Sequence, residues 1–120
     1  NFWVGAALQL ANGIVVTGNN QENAAYPSGL CAERVALFYA NAQYPNQPVV
    51  KMAVVAGKNG QLTNAAITPC GGCRQVMVES EHRQGSPIAI LLVGINSILK
   101  INSARHLLPF EFDADALANK

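Results

Sequence analysis

From Phe2 to Ala11 apolar side chains alternate loosely until Asn12-Gly13, a dipeptide that accepts positive φ at both central positions of a type I′ turn, and the β-branched run Ile14-Val15-Val16-Thr17 follows. The pattern predicts a hairpin. A polar stretch of small residues from Asn19 to Gly29, interrupted by Tyr26-Pro27, leads to Cys31, after which neither Gly nor Pro intervenes until Pro45. A helix of about three turns is expected there. It is apolar on most sides and therefore buried. Val49 to Ala56 is Val-rich and too short for a typical helix, so it is expected to be a buried strand, with a loop at Asn59-Gly60 behind it. Pro69 then precedes Cys70-Gly71-Gly72-Cys73 and a helical stretch from Arg74 to about Arg83, closed by Gly85. Ile88 to Val93 is a second buried strand and Ile98 to Ile101 a short third. Strand, helix, strand, helix, strand with near-continuous apolar strands describes an α/β layer fold.

Composition narrows the function classes. Half of the 120 residues are hydrophobic and 12% are charged, which suits one globular domain over residues 1–120. A net charge of +1 leaves no footprint for a phosphate backbone or an anionic bilayer, so neither nucleic acid nor membrane is an expected partner. The longest strictly apolar run, Ile88 to Val93, is far short of the roughly 20 residues that span a bilayer, and no export signal is recognisable. The spacing of the cysteines at 31, 70 and 73 suits a metal site better than a disulfide framework, and a reducing cytoplasm is the expected compartment.

Charge is scarce where the chemistry gathers. Among the first fifty residues only Glu22, Glu33 and Arg34 are charged. Cys70 and Cys73 are three apart, so a helical turn puts both thiolates on one face, within reach of one ion. Cys31 opens the other predicted helix, where the macrodipole favours a thiolate. Three thiolates leave the fourth position of a tetrahedral zinc for water, the arrangement of a catalytic site. Glu33 converges on that site only if Cys31 is the helix cap and Glu33 lies in the first turn; there it can move a proton for the water. Arg34, three residues after Cys31, and Arg74, directly after Cys73, are expected to withdraw charge from the thiolates. Singly, each of these residues has a plainer reading as a buried small hydrophobe, a helix-start carboxylate or a solvated arginine. Jointly, C-x-E followed by P-C-x-x-C is the signature of the zinc deaminases.

The chain resembles the cytidine deaminase family in its small homotetrameric form. The resemblance runs over nearly the whole sequence and rests on Phe2-Trp3-Val4-Gly5-Ala6-Ala7-Leu8, Gly18 to Tyr26, Cys31-Ala32-Glu33-Arg34 and Pro69-Cys70-Gly71-Gly72-Cys73-Arg74-Gln75. It implies a three-layer α/β/α sandwich around a mixed five-stranded sheet. It also implies hydrolytic deamination of cytidine or deoxycytidine to the uridine nucleoside and ammonia, a step of pyrimidine salvage. By resemblance, Cys31, Cys70 and Cys73 hold one Zn²⁺ per subunit and Glu33 is catalytic. Asn20 and Glu22 bind the ribose, Phe2 packs on the pyrimidine, and the Ala32 backbone orients the base.

Leu107-Leu108-Pro109-Phe110-Glu111-Phe112 is similar to the family's closing segment, in which an aromatic from a neighbouring subunit covers the base. Phe112 is the candidate and Phe110 the alternative; Tyr26 is similar to a residue that crosses the interface. The implied partners are a nucleoside and further copies of the chain, with sites at subunit interfaces. His82 and His106 match no ligand position. Family members begin with a helix before the first strand, whereas this chain starts almost at Phe2, so either that helix is absent or this sequence has lost it, and its loss would uncover one sheet face. Two other functions share parts of the pattern. A deaminase of a cytosine nucleoside antibiotic would not need Asn20 and Glu22, and a non-catalytic zinc-stabilised module would not need Glu33.

Overall fold

The computed structural model describes residues 1–118. Strands β1 (Phe2–Leu10) and β2 (Val15–Asn19) form the expected hairpin, followed by a 3₁₀ turn at Tyr26–Ser28, helix α1 (Ala32–Gln43) and strands β3 (Val49–Lys58) and β4 (Gln61–Leu62). Helix α2 (Gly71–Gln84), strands β5 (Ala89–Val93) and β6 (Ile98–Ile101), a 3₁₀ turn at Ala104–Leu107 and helix α3 (Ala114–Ala118) complete the order. The sheet runs β2-β1-β3-β5-β6, with β4 paired to β3 beside this path. The anticipated five strands are thus joined by a sixth, of two residues. Among the described residues only β3 and β5 pair in parallel, and α2 is the crossover between them.

Both Asn-Gly dipeptides join hairpin strands, with turn types that differ from the sequence expectation. At Asn12-Gly13 only the glycine has positive φ (90°), and Gly13 N–H donates to Leu10 O at 2.9 Å while Leu10 N–H donates to Ile14 O at 2.9 Å. This is a three-residue loop closed by a glycine bulge, not a type I′ turn. The type I′ geometry belongs to Asn59-Gly60, with φ of 54° and 80°, which joins β3 to β4 and converts the expected loop into a hairpin.

Alternation along the strands sets one buried face. Ala6, Leu8 and Leu10 of β1 lie beside Met52 and Val54 of β3, and these beside Ile90 and Leu92 of β5. Onto this face pack Ala36, Leu37 and Ala40 of α1 and Cys73, Met77 and Val78 of α2, in one continuous core. The opposite face, with Ala7, Ala53, Val55 and Leu91, is half-buried, so the described residues build two of the three layers. Among the described residues no helix is long and apolar enough to cross a membrane.

Glu81 of α2 is buried, yet it is fully partnered. Its Oε2 accepts from the N–H groups of Ile88 and Ala104 at 2.7 Å each, and its Oε1 from Ser103 Oγ at 2.6 Å and Arg105 N–H at 3.2 Å. Burial pushes this carboxyl up, but the four donors outweigh it and hold it below the usual carboxylate range. One side chain thereby ties α2 to the start of β5 and to the 3₁₀ turn.

Candidate active site

The two helix starts set the geometry. Cys31 is the N-cap of α1 and Cys70 the N-cap of α2, each with extended backbone. Cys73 follows in the first turn of α2 and is fully buried. Close approach of α1 to β2 depends on Gly18, where a Cβ would lie 2.9 Å from Ala32 O and 2.9 Å from Ala36 N. The glycine lets the first turn of α1, with Glu33 in it, settle on the sheet.

The three sulfurs lie within 4.8 Å of one another, and Cys31 Sγ and Cys70 Sγ are 3.7 Å apart. Two sulfurs held about 2.3 Å from a tetrahedral zinc stand about 3.8 Å apart, so this spacing fits that ion. The donors fit as well, because three soft sulfurs select zinc over the hard divalent cations. Burial and the Glu33 carboxylate both push the Cys73 thiol up, with further contributions from the Cys70 and Cys31 thiols. Cys70 moves the other way: its burial is outweighed by the backbone N–H and thiol of Cys73, the thiol of Cys31 and the charge of Arg34. A crowd of acidic groups around one point is a place for a cation.

The arginines divide. Arg34, one turn beyond Cys31, points Nη2 at Cys31 Sγ from 3.3 Å, and that contact, ahead of an opposing desolvation, raises its pKa. Arg74 does not reach the sulfurs by any hydrogen bond, contrary to the sequence expectation. Its Nε donates to Pro69 O at 2.9 Å and its Nη1 to Leu107 O at 3.0 Å. A side chain in the first turn of a helix leans back past the N-terminus, and there two carbonyls outcompete the thiols for the guanidinium.

Glu33 is 3% exposed and lines a cavity of about 710 Å³ together with Cys31, Cys70, Phe2, Asn20 and Glu22. The walls of this one cavity thus carry residues from four separate stretches of chain. Asn20 Oδ1 accepts from Val4 N–H at 2.8 Å, and Asn20 Nδ2 donates to Glu22 Oε2 at 2.9 Å. The amide therefore fixes both the strand and the carboxylate beside it. Glu22 itself is exposed, so it carries no burial penalty of the kind its quiet surroundings suggested. Ala32 is fully buried at the first position of α1, where a backbone N–H has no intrahelical acceptor. Tyr26 borders the same cavity at 88% exposure. Phe112 and Phe110 are exposed and do not line it. His82 and His106 lie on the surface. Glu81 and the carbonyls of Pro69 and Leu107 went unmarked in the sequence; the signal for Glu81 was its place four residues beyond Met77 and eight beyond Cys73 on one helical stripe.

An α/β sheet with two helix starts presenting thiols to a buried carboxylate places the chain in the class of metal-dependent domains with an accessible site. Residues 1–85 match the model of the cytidine and deoxycytidylate deaminase zinc-binding region, and the chain belongs to that family. Cytidine deaminase of Sporosarcina psychrophila is 35% identical over 117 residues, covering 98% of this chain and 79% of that protein. Cytidine deaminase of Halalkalibacterium halodurans is 49% identical over 78 residues, covering 65% of this chain and 54% of that protein. The chain thus spans about half the length of the latter. In three dimensions it is similar to cytidine deaminase from Burkholderia pseudomallei, with a TM-score of 0.77 and 40% identity over 93% of this chain and 83% of that one. The family's metal is zinc, and Cys31, Cys70 and Cys73 form a cluster able to bind it.

Proposed function

We propose that the protein is a zinc-dependent deaminase that converts cytidine or deoxycytidine, with water, into uridine or deoxyuridine and ammonia. The observation that carries this is the buried Glu33 carboxylate facing the same cavity as the cysteine cluster. Held by Cys31, Cys70 and Cys73, zinc supplies Lewis acidity that brings the pKa of a water toward about 7.

The chain's own residues do the rest. Glu33 takes a proton from the attacking water, delivers it to N3 of the pyrimidine as C4 is attacked, and then carries the proton of the new C4 hydroxyl to the amine, which departs as ammonia as the C4=O bond forms. Its burial keeps bulk water from competing for that proton. At the far end of the cavity, Glu22, oriented by Asn20, accepts from a sugar hydroxyl, while Phe2 packs on the base and the Ala32 amide orients it. Three thiolates around a dication sum to −1, which opposes the acidity required, and Arg34 offsets this by drawing charge from Cys31. Arg34→Gln is therefore expected to lower kcat about tenfold to a hundredfold with KM little changed. Steady-state kinetics with zinc content measured on the same sample checks it.

The cavity is open where Tyr26 stands, and Phe110 and Phe112 are exposed, which supports a homotetramer in which a neighbour's Phe112 covers the base. The single domain over 1–120 works on nucleosides of the cytoplasm, in pyrimidine salvage. Ammonia release on mixing the zinc-loaded protein with cytidine, followed by loss of cytosine absorbance, tests the reading. Release at enzymatic rates is expected; zinc bound with no release from cytidine or deoxycytidine would overturn it.

A further inference from the structure

Glu81 and the cysteine loop stand at opposite ends of α2, yet a closed ring of hydrogen bonds joins them. The carboxylate clamps the start of the 3₁₀ turn through Ser103, Ala104 and Arg105. The end of that turn presents Leu107 O to Arg74 Nη1 at 3.0 Å. The same guanidinium holds Pro69 O through Nε at 2.9 Å, and Pro69 is buried immediately before Cys70. Arg74 N–H also donates to Cys70 O at 3.0 Å, so Cys70 is gripped on both sides. Helix α2 closes the ring, with Cys73 in its first turn and Glu81 eight residues later, about 12 Å along its axis.

We propose that Glu81 is a positioning residue for the metal centre: through the 3₁₀ turn and Arg74 it fixes the Pro69-Cys70 segment against α2, and so the placement of the Cys70 sulfur relative to that of Cys73. The proposal rests on the reading of the three cysteines as the zinc site. Its physical content is preorganisation. The guanidinium spans both carbonyls, and one of the two stands at the end of a four-residue turn whose start the carboxylate holds. A carboxylate accepting four bonds is a stiff anchor for that purpose, since each bond is charge-assisted. Arg105 does not neutralise it; its guanidinium lies 3.8 Å from Glu111 instead.

The test compares the zinc-loaded wild type with Glu81→Gln, Arg74→Lys and the double variant. Zinc release to the chromogenic chelator 4-(2-pyridylazo)resorcinol is timed, and the visible spectrum of each protein reconstituted with Co²⁺ is recorded. Each single variant should release zinc on the order of tenfold faster, with an altered cobalt band. The double variant should be no faster than the faster single one, because both act through one ring. If Glu81→Gln melts earlier but keeps the wild-type release rate and cobalt spectrum, Glu81 is merely structural and the proposal fails. Additive effects in the double variant also overturn it. If Glu81→Gln does not fold, Ser103→Ala, which removes one of the four donors, should speed release in the same direction, and an unchanged rate overturns the proposal. A wild type that takes up no zinc overturns the metal reading and this inference together, whereas zinc held equally by all variants overturns this inference alone.

Discussion

Replacing Glu33 by Gln should lower turnover of cytidine by about 10³- to 10⁴-fold, the upper range for losing a general acid–base group, because one carboxylate serves more than one proton transfer in the proposed cycle. Gln keeps the volume and one acceptor oxygen of the side chain, so the buried first turn of α1 has no reason to repack. It cannot accept and return a proton. Zinc should stay. None of the three sulfurs is touched, and the Glu33 carboxylate is one of the groups that push the Cys73 thiol up, so its removal makes that thiol easier to ionise. Zinc content by atomic absorption and turnover on the same sample decide the matter. Loss of metal along with activity would make Glu33 a structural support, and turnover within tenfold of wild type would remove it from the chemistry.

How far the sequence reveals such a site depends on the range of the contacts that build it. Cys31, Glu33, Cys70 and Cys73 are legible because each pair is short-range and tied to a helix start, and a helix start is marked locally by the polar stretch before Cys31 and by Pro69 before Cys70. The strands are legible for a similar reason: the Val-rich and Ile-rich runs have only one way to be buried on an open sheet. The hairpin at Asn12-Gly13 is legible but its turn type is not, and the hairpin at Asn59-Gly60 reads only as a loop, because the dipeptide alone does not specify its turn. The residues flanking it decide, by setting whether two or three residues separate the last bonded pair of the ladder. Arg74 was misplaced because adjacency to a cysteine in sequence says nothing about which acceptor a long side chain finds. Its Leu107 partner is 33 residues away. Glu81 was legible in principle, as a carboxylate on the stripe that runs through Cys73 and Met77. Its four partners, however, come from two segments that only the folded chain brings together. Phe112 lies beyond the reach of a single chain's geometry, since the reading that uses it takes it from a neighbour.

The second large effect is on stability, and Cys73→Ala exposes it. Cys73 sits at the centre of the core against α1 and the sheet, but its thiol is small, so the packing lost on truncation is about 1 kcal/mol. Loss of the metal weighs more. A ligand that binds only the folded chain stabilises it by about 4 kcal/mol when present at a thousandfold excess over its dissociation constant. For a chain of this length that corresponds to a fall on the order of 15 °C in unfolding temperature. Cys73→Ala is therefore expected to unfold far below the zinc-loaded wild type, and within a few degrees of the wild type stripped by a chelator. The comparison separates the two contributions, because adding zinc back should restore the stripped wild type and leave the variant where it was. Calorimetry with and without zinc provides the measurement. A variant that responds to zinc as the wild type does would show that Cys31 and Cys70 suffice to hold the ion, and would remove Cys73 from the ligand set.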